Sequence, residues 1–177
     1  MNAMTATTTD SPRAWVGCLA CYNDARLVGE WLDADGLEDE ATLEAICPRP
    51  DHEELWCFDT DGLIGGEMSP AEAAVQARAL EDLAREAEDL YMPLTVAREY
   101  IDGLNITDPT AWPSIEDAFA GCADSESDYV AEYMENCMGL PELPYWLHVD
   151  YSGSFSDLTM DMTVIRHEGT LYVFHDN

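Results

Sequence analysis

Cys18 and Cys21 stand three positions apart as Cys-x-x-Cys, a spacing at which two thiolates can share one zinc ion. No second such pair occurs, and the surrounding run reads as a strand, on which residues three apart point to opposite faces. The expectation is therefore buried thiols acting as small hydrophobes, with a zinc site using Cys47 or Cys57 as the alternative. Cys122 and Cys137 complete a set of six, all expected reduced in a cytoplasmic protein. His52, His148, His167 and His175 are scattered without metal-site pairing and are expected to be satisfied or exposed side chains.

Asp33-Ala34-Asp35-Gly36 and Asp59-Thr60-Asp61-Gly62 resemble the start of a calcium loop. Their glycine comes at position four instead of six, and position five is Leu in both, so the ligand pattern is incomplete. Nucleophile elbows, phosphate-cradling loops, His-Glu-x-x-His motifs and dinucleotide fingerprints are missing from the sequence. Paired carboxylates could serve acid–base chemistry, but with 37 acids close pairs arise by chance and none can be singled out. No catalytic residue, metal or cofactor is assigned, and an enzyme is not expected.

The elements that would position these residues follow from turn and periodicity signals. Strands are expected at 15–20 and 28–33 as antiparallel neighbours, then a short acidic helix at 38–46 stopped by Pro48 and Pro50, then a strand at 55–58 leading to the Gly-rich 61–66. Ser69-Pro70-Ala71-Glu72 supplies an N-cap, a first-turn proline and a capping-box glutamate. In the helix it opens, Val75, Leu80, Leu83, Ala87 and Leu90 can face a core. A second helix follows Pro93 and ends near Gly103. Helical segments are expected at 114–120, at 127–138 with Gly139 and Pro141 stopping it, and at 145–151. Strands at 162–166 and 171–174 close the chain around His167-Glu168-Gly169. Trp15, Trp31, Trp56, Trp112, Trp146 and Phe174 are expected in the core.

Charge is the dominant anomaly: 37 Asp and Glu face 7 Arg and no Lys, for a net charge of -30. Self-repulsion on this scale opposes compaction and calls for a reason. Proteins hold nucleic acid by presenting cations to phosphates, so direct nucleic-acid binding is not expected and the partners should be basic surfaces. Residues 14–66 carry 13 acids against 2 Arg, residues 67–108 carry 10 against 3, and residues 109–177 carry 13 against 1. An acidic tail or a metal pocket would concentrate charge, whereas here it is spread along the chain. The Thr-rich residues 1–13 read as a flexible tail, and no run approaches the roughly 18 apolar residues of a membrane span.

Two segments carry a family resemblance: Trp15-Val16-Gly17-Cys18-Leu19-Ala20-Cys21-Tyr22-Asn23 followed by Leu27-Val28-Gly29-Glu30-Trp31-Leu32-Asp33, and Glu53-Glu54-Leu55-Trp56-Cys57-Phe58-Asp59-Thr60-Asp61-Gly62. Both are similar to the N-terminal part of ArdA antirestriction proteins. Ile115-Glu116-Asp117-Ala118-Phe119-Ala120-Gly121 and Ser127-Asp128-Tyr129-Val130-Ala131-Glu132-Tyr133 resemble the acidic C-terminal region of that family, and Val149-Asp150-Tyr151 and Leu171-Tyr172-Val173-Phe174 resemble its ending. Cys122-Ala123, Thr60 and Ser152-Gly153-Ser154 depart from it.

The resemblance implies a non-enzymatic mimic of DNA that occupies the DNA-binding groove of type I restriction–modification enzymes, on their methyltransferase core. It also implies an elongated α+β chain of three small domains, with small antiparallel sheets at both ends and a helical middle. Those domains fall at 14–66, 67–108 and 109–177, the last forming a two-fold homodimer. The mimicking surface would use Glu38, Asp39, Glu40, Glu53, Glu54, Glu81, Asp82, Glu86, Asp89, Glu116, Asp117, Asp124, Glu126, Asp128, Glu132 and Glu135. Dimer contacts would come from Tyr129, Tyr133, Met134, Tyr145, Trp146 and Tyr151. Two chains would supply charge for about 100 Å of duplex at one charge per about 1.7 Å. The alternatives are an acidic module binding another basic DNA-binding protein, or a salt-adapted acidic enzyme.

Overall fold

The structure, a computed structural model, describes residues 11–138, 146 and 148–176. They fall into two compact units: one runs to Asp82 and includes Thr107–Thr110, and the other comprises Leu83–Ile106 and the chain from Ala111.

In the first unit β1 (Arg13–Cys18) lies between β2 (Gly29–Asp33) and β3 (Leu55–Asp61), antiparallel to both. As the central strand it buries Ala14, Val16 and Cys18. The strand starts at Arg13, so only residues 1–10 of the expected tail lie outside the described residues. It also ends sooner than its apolar run suggests. Ladder pairing runs out where the Cys18 N–H reaches the Val28 carbonyl at 2.9 Å and the Leu19 N–H reaches that of Glu54 at 3.1 Å. Residues beyond curl into α1 (Leu19–Asn23), correcting the expected strand at 15–20. The expected helix at 38–46 is two single turns, α2 (Leu37–Glu40) and α3 (Leu43–Ile46). Thr42 breaks it by turning extended and capping α3, its hydroxyl accepting from the Ala45 N–H at 3.3 Å.

The Gly-rich loop after β3 is pinned by Gln76, the buried polar residue of α4 (Pro70–Asp89). Its amide accepts from the Ile64 N–H at 2.7 Å and donates to the Ile64 carbonyl at 2.6 Å. At the start of α4 the capping box forms as expected. Glu72 Oε2 accepts from the Ser69 N–H at 2.8 Å and hydroxyl at 2.7 Å, while Ser69 Oγ accepts from the Glu72 N–H at 3.2 Å. These bonds hold the Glu72 carboxyl below its usual range. Ser69→Ala removes the cap and should lower stability by about 1 kcal/mol. Urea unfolding followed by far-UV circular dichroism checks this, and an unchanged midpoint would contradict the role given to the box.

In the second unit β6 (Thr170–His175) is central, between β4 (Phe119–Ala123) and β5 (Met162–His167), and buries Leu171, Tyr172, Val173 and Phe174. Positive φ at both Glu168 (47°) and Gly169 (92°) closes the β5–β6 hairpin as a type I′ turn. The segment expected as a helix at 114–120 is one turn, α6 (Ile115–Ala118), and then β4. A bulge between Phe119 and Gly121 fits this strand to β6, with Gly121 at φ 140°, a conformation that favours glycine. Tyr100 of α5 (Leu94–Gly103) stacks on Phe174 at 4.4 Å and donates to the His175 carbonyl at 2.9 Å.

α7 (Glu126–Met138) packs on α8 (Tyr151–Leu158), where Tyr129 meets Phe155 edge-on at 5.7 Å. Asp150 caps α8 by accepting from the Gly153 N–H at 3.0 Å, so the helix begins where the expected one at 145–151 ends. Residues 139–145 and 147, including the expected stop signals of α7, lie outside the described residues.

The class is α+β, with two small antiparallel three-stranded sheets near the ends of the chain and helices between them. Phe174 is fully buried and Trp15, Trp56 and Trp112 are half-buried. Trp31 and Trp146 correct the core expectation, with 39% and 65% of their surface exposed. Among the described residues no helix is long and apolar enough to cross a membrane.

Candidate functional site

Burying an unpaired carboxylate is costly, and a chain with this many must place them outward. No described Asp or Glu is buried, and only Glu86 and Glu126 are half-buried. Local structure does the sorting. In α2 Leu37 points inward, leaving Glu38, Asp39 and Glu40 exposed, and in α6 Ile115 and Ala118 do the same for Glu116 and Asp117. Glu53 and Glu54 are exposed just before β3, as are Glu81, Asp82 and Asp89 on α4, and Asp124 just before α7.

On α7 the buried Tyr129 and Val130 define the inner face, while Asp128, Glu132 and Glu135 recur at four- and three-residue steps on an exposed one. That is one carboxylate per about 5 Å of helix axis. One strand of duplex DNA carries a phosphate per about 3.4 Å. Like charges at these spacings destabilise a helix by about 0.2–0.5 kcal/mol per pair. None of the described helices has a basic residue in its last turn, where a cation would complement the helix dipole.

Several of the sixteen expected surface acids also bond within the fold, among them Asp128, which accepts from the Ser125 hydroxyl at the start of α7. Glu38 takes both guanidinium nitrogens of Arg78, at 2.9 and 3.0 Å, and this bidentate bond holds its carboxyl below the usual range. Glu86 accepts from the Ser114 hydroxyl at 3.1 Å and the Ile115 N–H at 2.8 Å, anchoring the start of α6. Glu126 accepts from Arg166 at 2.7 Å and from the Ser152 hydroxyl at 3.4 Å. Arg13 and Arg26 are likewise held, by Asp33 at 3.3 Å and Asp24 at 2.9 Å. These scarce cations each lie against a carboxylate, so none of them presents an isolated positive spot.

Each unit thus carries exposed acids along its length, with few arginines among them. The family of antirestriction proteins named ArdA matches residues 14–172. The chain belongs to this family. The search of curated proteins found no match to it. Membership makes the chain an antirestriction protein acting on restriction enzymes, in a family of inhibitors and not of catalysts.

The dimer candidates of this ArdA-family chain divide. Tyr129 belongs to the core of its own unit, with Val130, Phe155, Leu171 and Val173, and Met134 packs against it. Tyr133 and Tyr151 are each 37% exposed and Trp146 is more so, whereas Tyr145 lies outside the described residues. An open groove of about 360 Å³ runs beside Tyr133 and Met134, lined also by Val149 and Leu158.

The calcium-like segments gather no ligand set among the described residues: Asp33 pairs with Arg13, and Asp59 accepts from its neighbour's N–H. The thiols behave differently. Because α1 is helical, Cys18 and Cys21 share a side, and Cys47 and His52 join them. This corrects both the opposed orientation expected on a strand and the dismissal of His52. Burial pushes the Cys47 thiol up to about 11, with neighbouring Cys18 and Cys21 adding to the rise. Burial also acts to raise Cys18, but hydrogen bonds from the Cys21 N–H and from the Cys47, His52 and Cys21 side chains outweigh it and bring the thiol to about 7. The signal in the sequence is Cys-x-x-Cys followed by Cys-x₄-His. Cys57 stays outside the cluster, and burial pushes its thiol to about 11.

Proposed function

We propose that this protein mimics the charge and shape of duplex DNA and competes for the DNA-binding groove on the methyltransferase core of type I restriction–modification enzymes, acting in the cytoplasm as a homodimer. The observation that carries the reading is the exposure of every described acid except the half-buried Glu86 and Glu126, in each unit of a chain with net charge -30. Carboxylates stand where phosphates would lie, and ions held in the enzyme's basic groove are released when they dock, as they are when DNA docks. The division at 14–66, 67–108 and 109–177 is retained as the plan of that surface, each part strongly acidic.

In a gel-shift titration the protein should displace a type I enzyme from its DNA without itself binding or cutting that DNA. Displacement should be strongest at low salt, where screening is weakest, with the protein still folded. Unfolding at low salt would instead mark a salt-adapted protein. A saturating amount that leaves every tested type I enzyme on its DNA would sink the reading, and displacement confined to unrelated DNA-binding proteins would reassign the target.

A further inference from the structure

After Cys47, which ends α3, the chain passes through Pro48-Arg49-Pro50-Asp51 and doubles back. The Arg49 N–H donates to the Cys47 carbonyl at 2.7 Å, and the His52 N–H donates to the Arg49 carbonyl at 3.2 Å. This turn sets His52 Nδ1 3.3 Å from Cys47 Sγ. The end of β1 and the first turn of α1 bring two more sulfurs to the same nitrogen, Cys18 Sγ at 3.0 Å and Cys21 Sγ at 3.6 Å. The sulfurs of Cys21 and Cys47 are 3.7 Å apart, and all four ligand atoms lie within 4.8 Å of one another.

A tetrahedral zinc ion binds sulfur at about 2.3 Å and imidazole nitrogen at about 2.0–2.1 Å, which sets its ligands about 3.8 Å (sulfur to sulfur) and about 3.6 Å (sulfur to nitrogen) apart. The side chains already sit close to the edges of such a tetrahedron. A disulfide needs sulfurs at about 2.05 Å, and Cys18, Cys21 and Cys47 are free thiols. Packing an apolar core gives no reason for three sulfurs to converge on one ring nitrogen.

We propose that Cys18, Cys21, Cys47 and His52 form a structural zinc site. Their spacing, Cys-x₂-Cys-x₂₅-Cys-x₄-His, is that of a Cys₃His set. On loading, one Zn²⁺ replaces the three thiol protons, which pass to solvent. Neutral His52 gives its Nδ1 lone pair, and the centre carries one net negative charge. Four protein ligands complete the tetrahedron and leave no position for a reactive water, so the ion cross-links and does not catalyse. It ties the end of β1, α1, α3 and the turn before β3 into one knot, in a small acidic unit with little regular structure in those segments.

The test uses the full-length chain, purified under reducing conditions. Atomic emission should find about one zinc per chain. Since the surface carboxylates also bind divalent ions loosely, the deciding probe is Co²⁺, which should give the intense thiolate charge-transfer and visible bands of a tetrahedral sulfur site, abolished by added zinc. In mild urea, which opens these buried positions, zinc should also slow alkylation of Cys18, Cys21 and Cys47 while the exposed Cys122 reacts freely. Cys47→Ser should lose the cobalt spectrum, and His52→Cys should keep a tetrahedral one. If Cys47→Ser fails to fold, the wild-type spectrum and the alkylation pattern still decide. Pale, octahedral cobalt bound by carboxylates only, or equal alkylation of the three cysteines with and without zinc, overturns the proposal. So does a disulfide joining any two of them in the protein as purified.

Discussion

Neutralising Asp124, Asp128, Glu132 and Glu135 together, with Asn for Asp and Gln for Glu, is expected to weaken inhibition of a type I restriction–modification enzyme by about 10- to 100-fold. Exposed ion pairs contribute about 0–1 kcal/mol each. A factor of ten is about 1.4 kcal/mol, so four such contacts reach this range only in sum. Glu132→Gln alone should therefore shift the inhibition midpoint by no more than about fivefold. Asp124 and Glu132 lie close enough to Cys122 that, with burial as the main cause, their charges help push its thiol up. Glu126 is left in place because it holds Arg166. Asn at position 128 keeps an acceptor for the Ser125 hydroxyl that caps α7. Removing like-charge pairs from α7 should leave the melting temperature level or slightly raised, which separates lost recognition from lost folding. The salt dependence of inhibition should flatten as contacts disappear. Unchanged inhibition by the fourfold variant would place the contact surface elsewhere, and abolition by Glu132→Gln alone in a folded protein would point to a discrete site.

How much of this could be read from the residues depended on whether the signal was local. The capping box at Ser69 and Glu72, the proline before α5 and the turn at Glu168-Gly169 each act within four or five residues, and each appears where the sequence puts it. The run from Trp15 to Tyr22 is apolar throughout, so periodicity does not mark where strand becomes helix. Hydrogen bonds to Val28 and Glu54 decide that, and neither is near in sequence. β4 was missed for the same reason: Phe119 to Ala123 have weak intrinsic preference and become a strand by pairing with β6, some fifty residues later. The acids were legible as a total and as a spread. Which of them serve internal bonds was not, because the partners Arg78 and Arg166 each lie 40 positions from the glutamates they hold.

Full-length protein should scatter light at about twice the 19.7 kDa chain mass, and replacing Tyr133, Trp146 and Tyr151 together by Ser should halve that value. A two-fold interface presents the same patch from both sides, and chains of charge -30 can join only where apolar burial exceeds their mutual repulsion. These three aromatics are exposed, and the groove beside Tyr133 offers an apolar surface for the partner copy. Tyr129 is left alone: it fills the core of its own unit, and its loss would test folding instead. Truncation near Asp108 would be a poor substitute, since Leu83–Ile106 belong to the second unit and Tyr100 would lose Phe174 and the His175 carbonyl. Higher salt should favour the dimer by screening its like charges, while it weakens inhibition. The functional consequence is the larger one, because joining two copies turns the second docking event into an intramolecular one, an effect of about 10²–10⁴ in overall affinity. The triple variant should therefore lose inhibition by at least the factor expected of the charge variant, with every surface acid intact. A wild-type chain that is monomeric at micromolar concentration, or a triple variant that still dimerises, would move the interface away from α7 and α8. A monomeric variant that inhibits as well as wild type would mean that one chain alone spans the footprint the enzyme reads.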